Sequence, residues 1–244
     1  MTYDLNILEQ GCEQLGIELS AVQKQQFIDF YEHLIEKNKV MNLTGITEFE
    51  EVLVKHFVDS LACVKAVDMK KVQKVLDVGT GAGFPGVPLK IAFPHLKACL
   101  LDSLNKRVRF LEETFVLLKL EQIQAVHGRA EEFAKNKAYR EQFDLCVSRA
   151  VSNLATLSEY CLPYVKCGGS FVSYKSGTVQ EEVEQAEKAI KMLGGKVKDI
   201  LYFQLPDSDI ARSLVVIEKV SKTPSRYPRK AGTPLKEPLG SESA

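Results

Sequence analysis

The stretch VLDVGTGAGFPGVPLK, Val75–Lys90, places four glycines within eight positions directly behind an apolar run. A residue without Cβ lets backbone come close to a ligand, and a helix that follows presents free N–H groups. A strand, a glycine turn and a helix in this order form a nucleotide-ligand site. The next apolar run, ACLLDS, ends in Asp102, where a carboxylate takes both hydroxyls of a ribose. Two alignments of the glycines compete. Gly81, Gly83 and Gly86 spell GxGxxG, the dinucleotide fingerprint. Gly79, Gly81 and Gly83 spell GxGxG, with Asp77 two positions ahead. The second alignment is preferred, because Asp77 would repel a pyrophosphate yet favour the sulfonium or amino group of S-adenosyl-L-methionine. Pro85 and Pro88 also remove N–H donors that a diphosphate would need. The expected ligand is therefore the methyl donor, with S-adenosyl-L-homocysteine as its product.

Outward from this turn, apolar runs alternate with amphipathic segments. The runs are VLDVG, ACLLDS, IQAVHG, FDLCVS, GGSFVSYK, VKDILYFQL and SLVVIEK. Leu104, Val108, Leu111, Phe115 and Leu118 keep helical spacing between two of them. A further helix is expected from a capping box at Thr178–Glu181 through Val183, Ala186, Ile190 and Leu193 to Gly194-Gly195. The pattern predicts an α/β fold: a mostly parallel, Rossmann-like sheet of the class I methyltransferase kind. Only the short PDSDIAR joins the last two runs, so a closing hairpin with one antiparallel strand is expected. Ahead of the sheet the chain reads as helices. Leu5, Leu8, Cys12 and Leu15 precede Gly16, Ser20 and Gln23 make a capping box, and a second box is expected at Thr47–Glu50. The expected organisation is a helical subdomain over 1–66, a methyltransferase domain over 67–220 and a basic, proline-containing tail over 221–244. That tail is expected to be extended and not helical.

With 244 residues, 45% of them hydrophobic and 26% charged, the chain reads as an ordinary globular protein. No apolar run approaches the roughly 20 residues of a membrane span, and the N-terminus has no secretory pattern. Six cysteines form no CxxC pair and are expected as buried free thiols in a reducing cytoplasm. The four histidines are scattered, so no metal is expected. Net charge is zero, but SKTPSRYPRKAGTPLK, from Ser221 to Lys236, carries five cations and no acid.

The run after the fourth strand declares the chemistry. VSRAVSN is not the (D/N)PP(Y/F/W) motif of exocyclic-amine methylation, and no Pro-Cys is present to serve carbon-5 of a pyrimidine. An acceptor that attacks unaided remains, and guanine N7 qualifies, having a lone pair and no proton to lose.

The motifs KVMNLTGI, KHFVDSL, LDVGTGAGFPGVPLKI, LLDSLNKRVRFL, GRAEEF, VSRAV, YKSG, RSLVVIEK and RYPRKAGTPLKEPL together resemble the RsmG (GidB) family. These are bacterial methyltransferases that make 7-methylguanosine in 16S ribosomal RNA. The resemblance spans nearly the whole chain. It implies that Gly79 and Phe84 line the donor pocket, with Gly81 and Gly83 shaping the turn and Asp77 beside it. It further implies that Asp102 holds the ribose with Ser103 and Leu104 beside it, that Ala130 and Glu131 flank the adenine, and that Arg149 faces donor and acceptor. No general base is expected. Lys106, Arg107, Arg129, Lys175, Arg212, Arg226, Arg229 and Lys230 become RNA-contact candidates, with the small ribosomal subunit as partner and a cytoplasmic monomer as the working form. His56 and Asp59 read as a buried hydrogen-bonded pair. An RNA-binding assembly factor, a small-molecule methyltransferase and a nicotinamide dehydrogenase are the competing readings.

Overall fold

All seven apolar runs become strands of one sheet, in the order β3-β2-β1-β4-β5-β7-β6. The computed structural model describes residues 3–149, 152–206 and 208–240. Ala150 and Val151 of VSRAV, Asp207 of PDSDIAR and positions 241–244 of the tail lie outside the described residues. Strands β1 (Lys74–Val78), β2 (Lys97–Asp102), β3 (Ile123–His127), β4 (Phe143–Arg149) and β5 (Val165–Ser176) pair in parallel. β7 (Ala211–Lys219) runs antiparallel between β5 and β6 (Gly195–Gln204), which is the expected hairpin. The β6–β7 connection is too short for a crossover, so antiparallel pairing is the geometry open to it. From β1 the chain proceeds to β2 on one side, while β4 lies on the other. The ends of β1 and β4 thus flank the switch point where α/β sheets bind ligands.

Helices α5 (Gly86–Ala92), α6 (Asn105–Leu117), α7 (Ala130–Phe133), α8 (Leu154–Cys161) and α9 (Gln180–Met192) follow successive strands. Preceding the sheet are α1 (Asn6–Gln14), α2 (Ala21–Met41) and α3 (Phe49–Val52). A π-helical stretch Leu53–Val58, then α4 (Asp59–Leu61) and a 3-10 turn Ala62–Lys65, continue from α3. The capping box at Ser20 forms, with Gln23 N donating to Ser20 Oγ at 3.3 Å and Ser20 N to Gln23 Oε1 at 2.8 Å. The Gln23 amide also donates to Ile91 O at 2.7 Å, and Gln26 to Leu118 O at 2.7 Å. α2 therefore satisfies carbonyls left open where α5 and α6 end.

Phe57 packs 4.9 Å from Phe27 and 5.7 Å from Phe30, and Phe30 lies 5.3 Å from Phe84 of the glycine turn. Leu8, Phe27, Phe30 and Phe57 share one apolar core with Val75, Leu100, Val147 and Val172 of the sheet. Burying each such ring contributes about 1.5–3 kcal/mol, which fixes the early helices against the turn.

Four expectations are corrected. The boxes at Thr47–Glu50 and Thr178–Glu181 do not cap. α3 enters through Glu48 and α9 through Val179, neither with a side-chain cap. Val179 is drawn into the core, which starts α9 at Gln180, and the Thr47 carbonyl is held by the Tyr31 hydroxyl at 3.0 Å. Cys167 is exposed, whereas the other five thiols are buried. The tail is not wholly extended, because α10 (Thr233–Lys236) forms a short helix. Its Pro234 sits in the first turn, where a missing N–H breaks no helical bond.

Candidate active site

The glycine turn closes over Asp77. Gly79, Gly81 and Gly83 adopt φ of 71°, 62° and 96°, the left-handed region that disfavours a Cβ. A Cβ on Gly81 would meet nothing within 4 Å, so open space lies over it, whereas one on Gly83 would lie 2.6 Å from Val87 Cγ2. Gly81 is therefore the glycine that keeps room clear, and Gly83 the one that lets α5 pack. Asp77 Oδ2 accepts from Thr80 Oγ1 at 2.7 Å and from Gly86 N at 2.9 Å. The start of α5 is thus held by Asp77 and is not the free donor array the sequence suggests. The other oxygen, Asp77 Oδ1, is buried with no hydrogen-bond partner among the described residues. Burial pushes the Asp77 carboxyl up to about 6, against the opposing pull of Thr80 and Gly86.

At the end of β2, Asp102 Oδ2 accepts from Gly81 N at 2.9 Å and Oδ1 from Leu104 N at 2.9 Å. Arg107 Nη1 stands 3.4 Å from Oδ2. A carboxylate has about four acceptor sites, so these three bonds orient Asp102 and leave one free, and a second opens to ribose when the long Arg107 contact is displaced. Ser103 and Leu104 are exposed beside it.

The Phe84 ring packs into the helical part. It stacks on His56 with centroids 4.4 Å apart and planes 17° apart, and Arg149 Cζ lies 5.1 Å from its centroid. Arg149 closes β4 and is clasped by the segment ahead of the sheet. Its Nη1 donates to Asp59 Oδ2 at 2.8 Å and Lys55 O at 3.2 Å, and Nη2 approaches His56 Nδ1 at 3.2 Å. The second Asp59 oxygen takes Arg212 Nε at 3.0 Å. His56 and Asp59 therefore do not pair with each other, correcting the expectation. They sit one turn apart on one helical face and share Arg149 as partner. Because Arg149 donates, His56 Nδ1 accepts, and Nε2 carries the proton to Thr44 Oγ1 at 2.8 Å. Burial, reinforced by Arg149, pushes the His56 imidazole down to about 3, so it is neutral.

The remaining candidates are scattered around this end of the sheet. Lys175 is half-buried and spent on Glu182 Oε1 at 2.7 Å and Ser152 O at 2.9 Å. Lys106 reaches Met41 O at 3.4 Å, and Arg129 is exposed. Ala130 O accepts from the Tyr164 hydroxyl at 2.6 Å, and buried Glu131 accepts from Gly232 N at 2.8 Å. The tail is not a free arm. Arg229 makes a two-pronged contact with fully buried Glu159, from Nη2 to Oε2 at 2.8 Å and from Nε to Oε1 at 3.0 Å. Arg140 holds the carbonyls of Thr223 at 2.8 Å and Tyr227 at 2.9 Å. Arg226 and Lys230 are exposed, so only part of the basic cluster faces outward. Sequence reading missed Glu159 as an anchor, although a lone carboxylate in LATLSEYC is itself a signal. It also missed Thr80 and Thr44, whose hydroxyls carry no pattern of their own.

The family model described as "rRNA small subunit methyltransferase G" matches residues 23–212. Among curated proteins, "Ribosomal RNA small subunit methyltransferase G" of Lachnoclostridium phytofermentans is 55% identical over 94% of this chain and 95% of its own. The protein of the same name from Alkaliphilus metalliredigens is 52% identical over 96% of this chain and 98% of its own. The sheet is also similar to that of an O-methyltransferase of Thermotoga maritima, at 16% identity and a TM-score of 0.50, covering 78% of this chain and 72% of that one. At that identity the likeness concerns the fold.

Proposed function

The chain belongs to the rRNA small subunit methyltransferase G family, and from that premise we propose that it methylates N7 of a guanine in 16S ribosomal RNA, using S-adenosyl-L-methionine. The observation that carries the N7 assignment is the absence of a spare base beside Arg149 among the described residues. His56 has one nitrogen facing Arg149 and the other facing Thr44, and both Asp59 oxygens face arginines. The Tyr174 hydroxyl is bound to Ser60 O at 2.7 Å. The one unpartnered carboxylate oxygen of the turn, Asp77 Oδ1 among the described residues, is assigned to the cationic donor, so the site suits an acceptor such as N7 that has no proton to lose.

The residues present fit the donor. When bound, S-adenosyl-L-methionine supplies a methyl group on a positively charged sulfur. Asp77 offers a buried, unpartnered oxygen to a cationic ligand, the turn at Gly81 leaves space, and Asp102 is oriented to accept ribose hydroxyls. Ala130 and Glu131 open α7 just past the end of β3, on the side proposed for the adenine. Arg149 packs on Phe84 of this turn, lines the adjoining cavity and aligns the acceptor, so the work of the site is orientation and exclusion of water. The target guanine must leave its stack to enter, which favours an unpaired stretch of RNA. Lys106, Arg107, Arg129, Lys175 and Arg212, with exposed Arg226 and Lys230, are the cations proposed to meet RNA. The reaction belongs in the cytoplasm, where small subunits are made.

Mass spectrometry of 16S ribosomal RNA nucleosides, with and without the protein, tests this. A 7-methylguanosine that disappears with the gene and returns when purified protein and donor are added supports it. An unchanged 7-methylguanosine content sinks it.

A further inference from the structure

Arg149 ends β4 and Arg212 lies at the start of β7, with β5 between them. Two strand spacings, roughly 10 Å, separate their backbones. A single carboxylate from the segment ahead of the sheet nevertheless holds both side chains, Arg149 at 2.8 Å and Arg212 at 3.0 Å. That carboxylate, Asp59, is 3% exposed, so it is spent entirely inward.

The charges around it do not balance. Lys55 pairs with Glu51 and Lys175 with Glu182, so each of those lysines is neutralised locally. The two guanidinium groups share one acid, leaving a surplus positive charge in a half-buried pocket. Surplus charge away from bulk water is costly unless an anion shares the site. The hydrogen bonds are also incomplete. Arg212 spends Nε on Asp59 and Nη1 on Ala211 O, and its Nη2 makes no hydrogen bond among the described residues. An arginine fork with free donors matches the paired oxygens of a phosphate.

Both arginines line a cavity of about 380 Å³, together with His56, Asp59 and Tyr174. This cavity adjoins the glycine turn, because His56 and Arg149 both pack on Phe84.

We infer that Asp59 is a positioning residue that yokes Arg149 and Arg212 into one clamp, and that the cavity beside them holds the acceptor nucleotide by its phosphate. The inference deepens the methyl-transfer reading and rests on it. Asp59 touches no reacting atom. Its role is to keep two flexible side chains at one spacing, so that the phosphate of the extruded nucleotide meets a preformed fork and the base is delivered toward Arg149.

The test uses full-length protein, labelled S-adenosyl-L-methionine and 16S ribosomal RNA from cells lacking this protein. Asp59→Asn releases the clamp, and Arg212→Lys keeps the charge but loses the fork. Each is expected to raise the KM for RNA about tenfold or more while donor affinity by calorimetry stays within about twofold. A purely structural ion cluster would instead lower donor affinity and RNA affinity together, or leave both unchanged, and either result overturns the inference. Circular dichroism checks folding. Should Asp59→Asn not fold, Arg212→Lys decides alone. Wild-type protein that labels no RNA overturns the methyl-transfer reading itself, whereas active wild type with unaffected variants overturns only the clamp.

Discussion

Replacing Asp77 by asparagine isolates the charge at the heart of the glycine turn. Burial lifts the Asp77 carboxyl from 3.8 to about 6. Each unit corresponds to about 1.4 kcal/mol, so ionising this group in the ligand-free fold costs about 3 kcal/mol. The sign follows from linkage. An acid whose folded value is raised holds its proton longer in the folded state. Stability therefore falls as pH rises from about 3.8 through about 6 and is level above that. In Asp77→Asn the amide oxygen takes over the bonds from Thr80 Oγ1 and Gly86 N, and its nitrogen occupies the place of unpartnered Oδ1. That change adds an offset that does not depend on pH. Urea unfolding of both proteins without ligand, from pH 4 to pH 8, should show a stability difference that shifts by up to about 3 kcal/mol below pH 6 and stays constant above it. A cation bound beside the carboxyl favours its ionised form, so donor affinity of the wild type should rise with pH up to about 6 and that of the variant should not. A difference between the two proteins that is the same at every pH would refute the reasoning.

Other outcomes follow from the same geometry. Gly83→Ala places a Cβ 2.6 Å from Val87 at φ 96° and should cost about 2–4 kcal/mol in denaturant unfolding. Gly81→Ala, at φ 62° in open space, should cost about 1–2 kcal/mol, with its larger effect on donor affinity by calorimetry. Arg229→Ala leaves fully buried Glu159 without its ion-pair partner and should destabilise by about 3–5 kcal/mol. Exposed Lys230→Gln should change stability by less than about 0.5 kcal/mol, and should lower the salt dependence of RNA binding by about one charge. Arg149→Ala should reduce methyl transfer far more than donor binding, and equal losses would count against its acceptor role.

The strands, the closing hairpin and the glycine turn were legible in the chain because each depends on neighbours a few positions apart. Apolar runs pair as strands, glycines at every second position permit left-handed backbone, and Asp102 falls where the next strand ends. Asp77 was legible as an acid beside the glycine turn, though not as the group that also restrains the start of α5. Helix starts were less secure: whether Thr47 or Thr178 caps depends on where the core draws Phe49 and Val179, which no local box records. The tail's proline spacing suggested an extended basic arm, yet Arg229 turns inward because Glu159, 70 positions earlier, is buried beneath it. The clamp lies furthest from local pattern. Asp59 meets Arg149 across 90 positions and Arg212 across 153. The sheet and the left-handed glycine turn can be read from the chain alone, since periodicity and backbone freedom are properties of short segments. Only the packed structure decided which charges share a pocket, because long-range ion pairs are set by how helices dock on the sheet edge and leave no spacing to read.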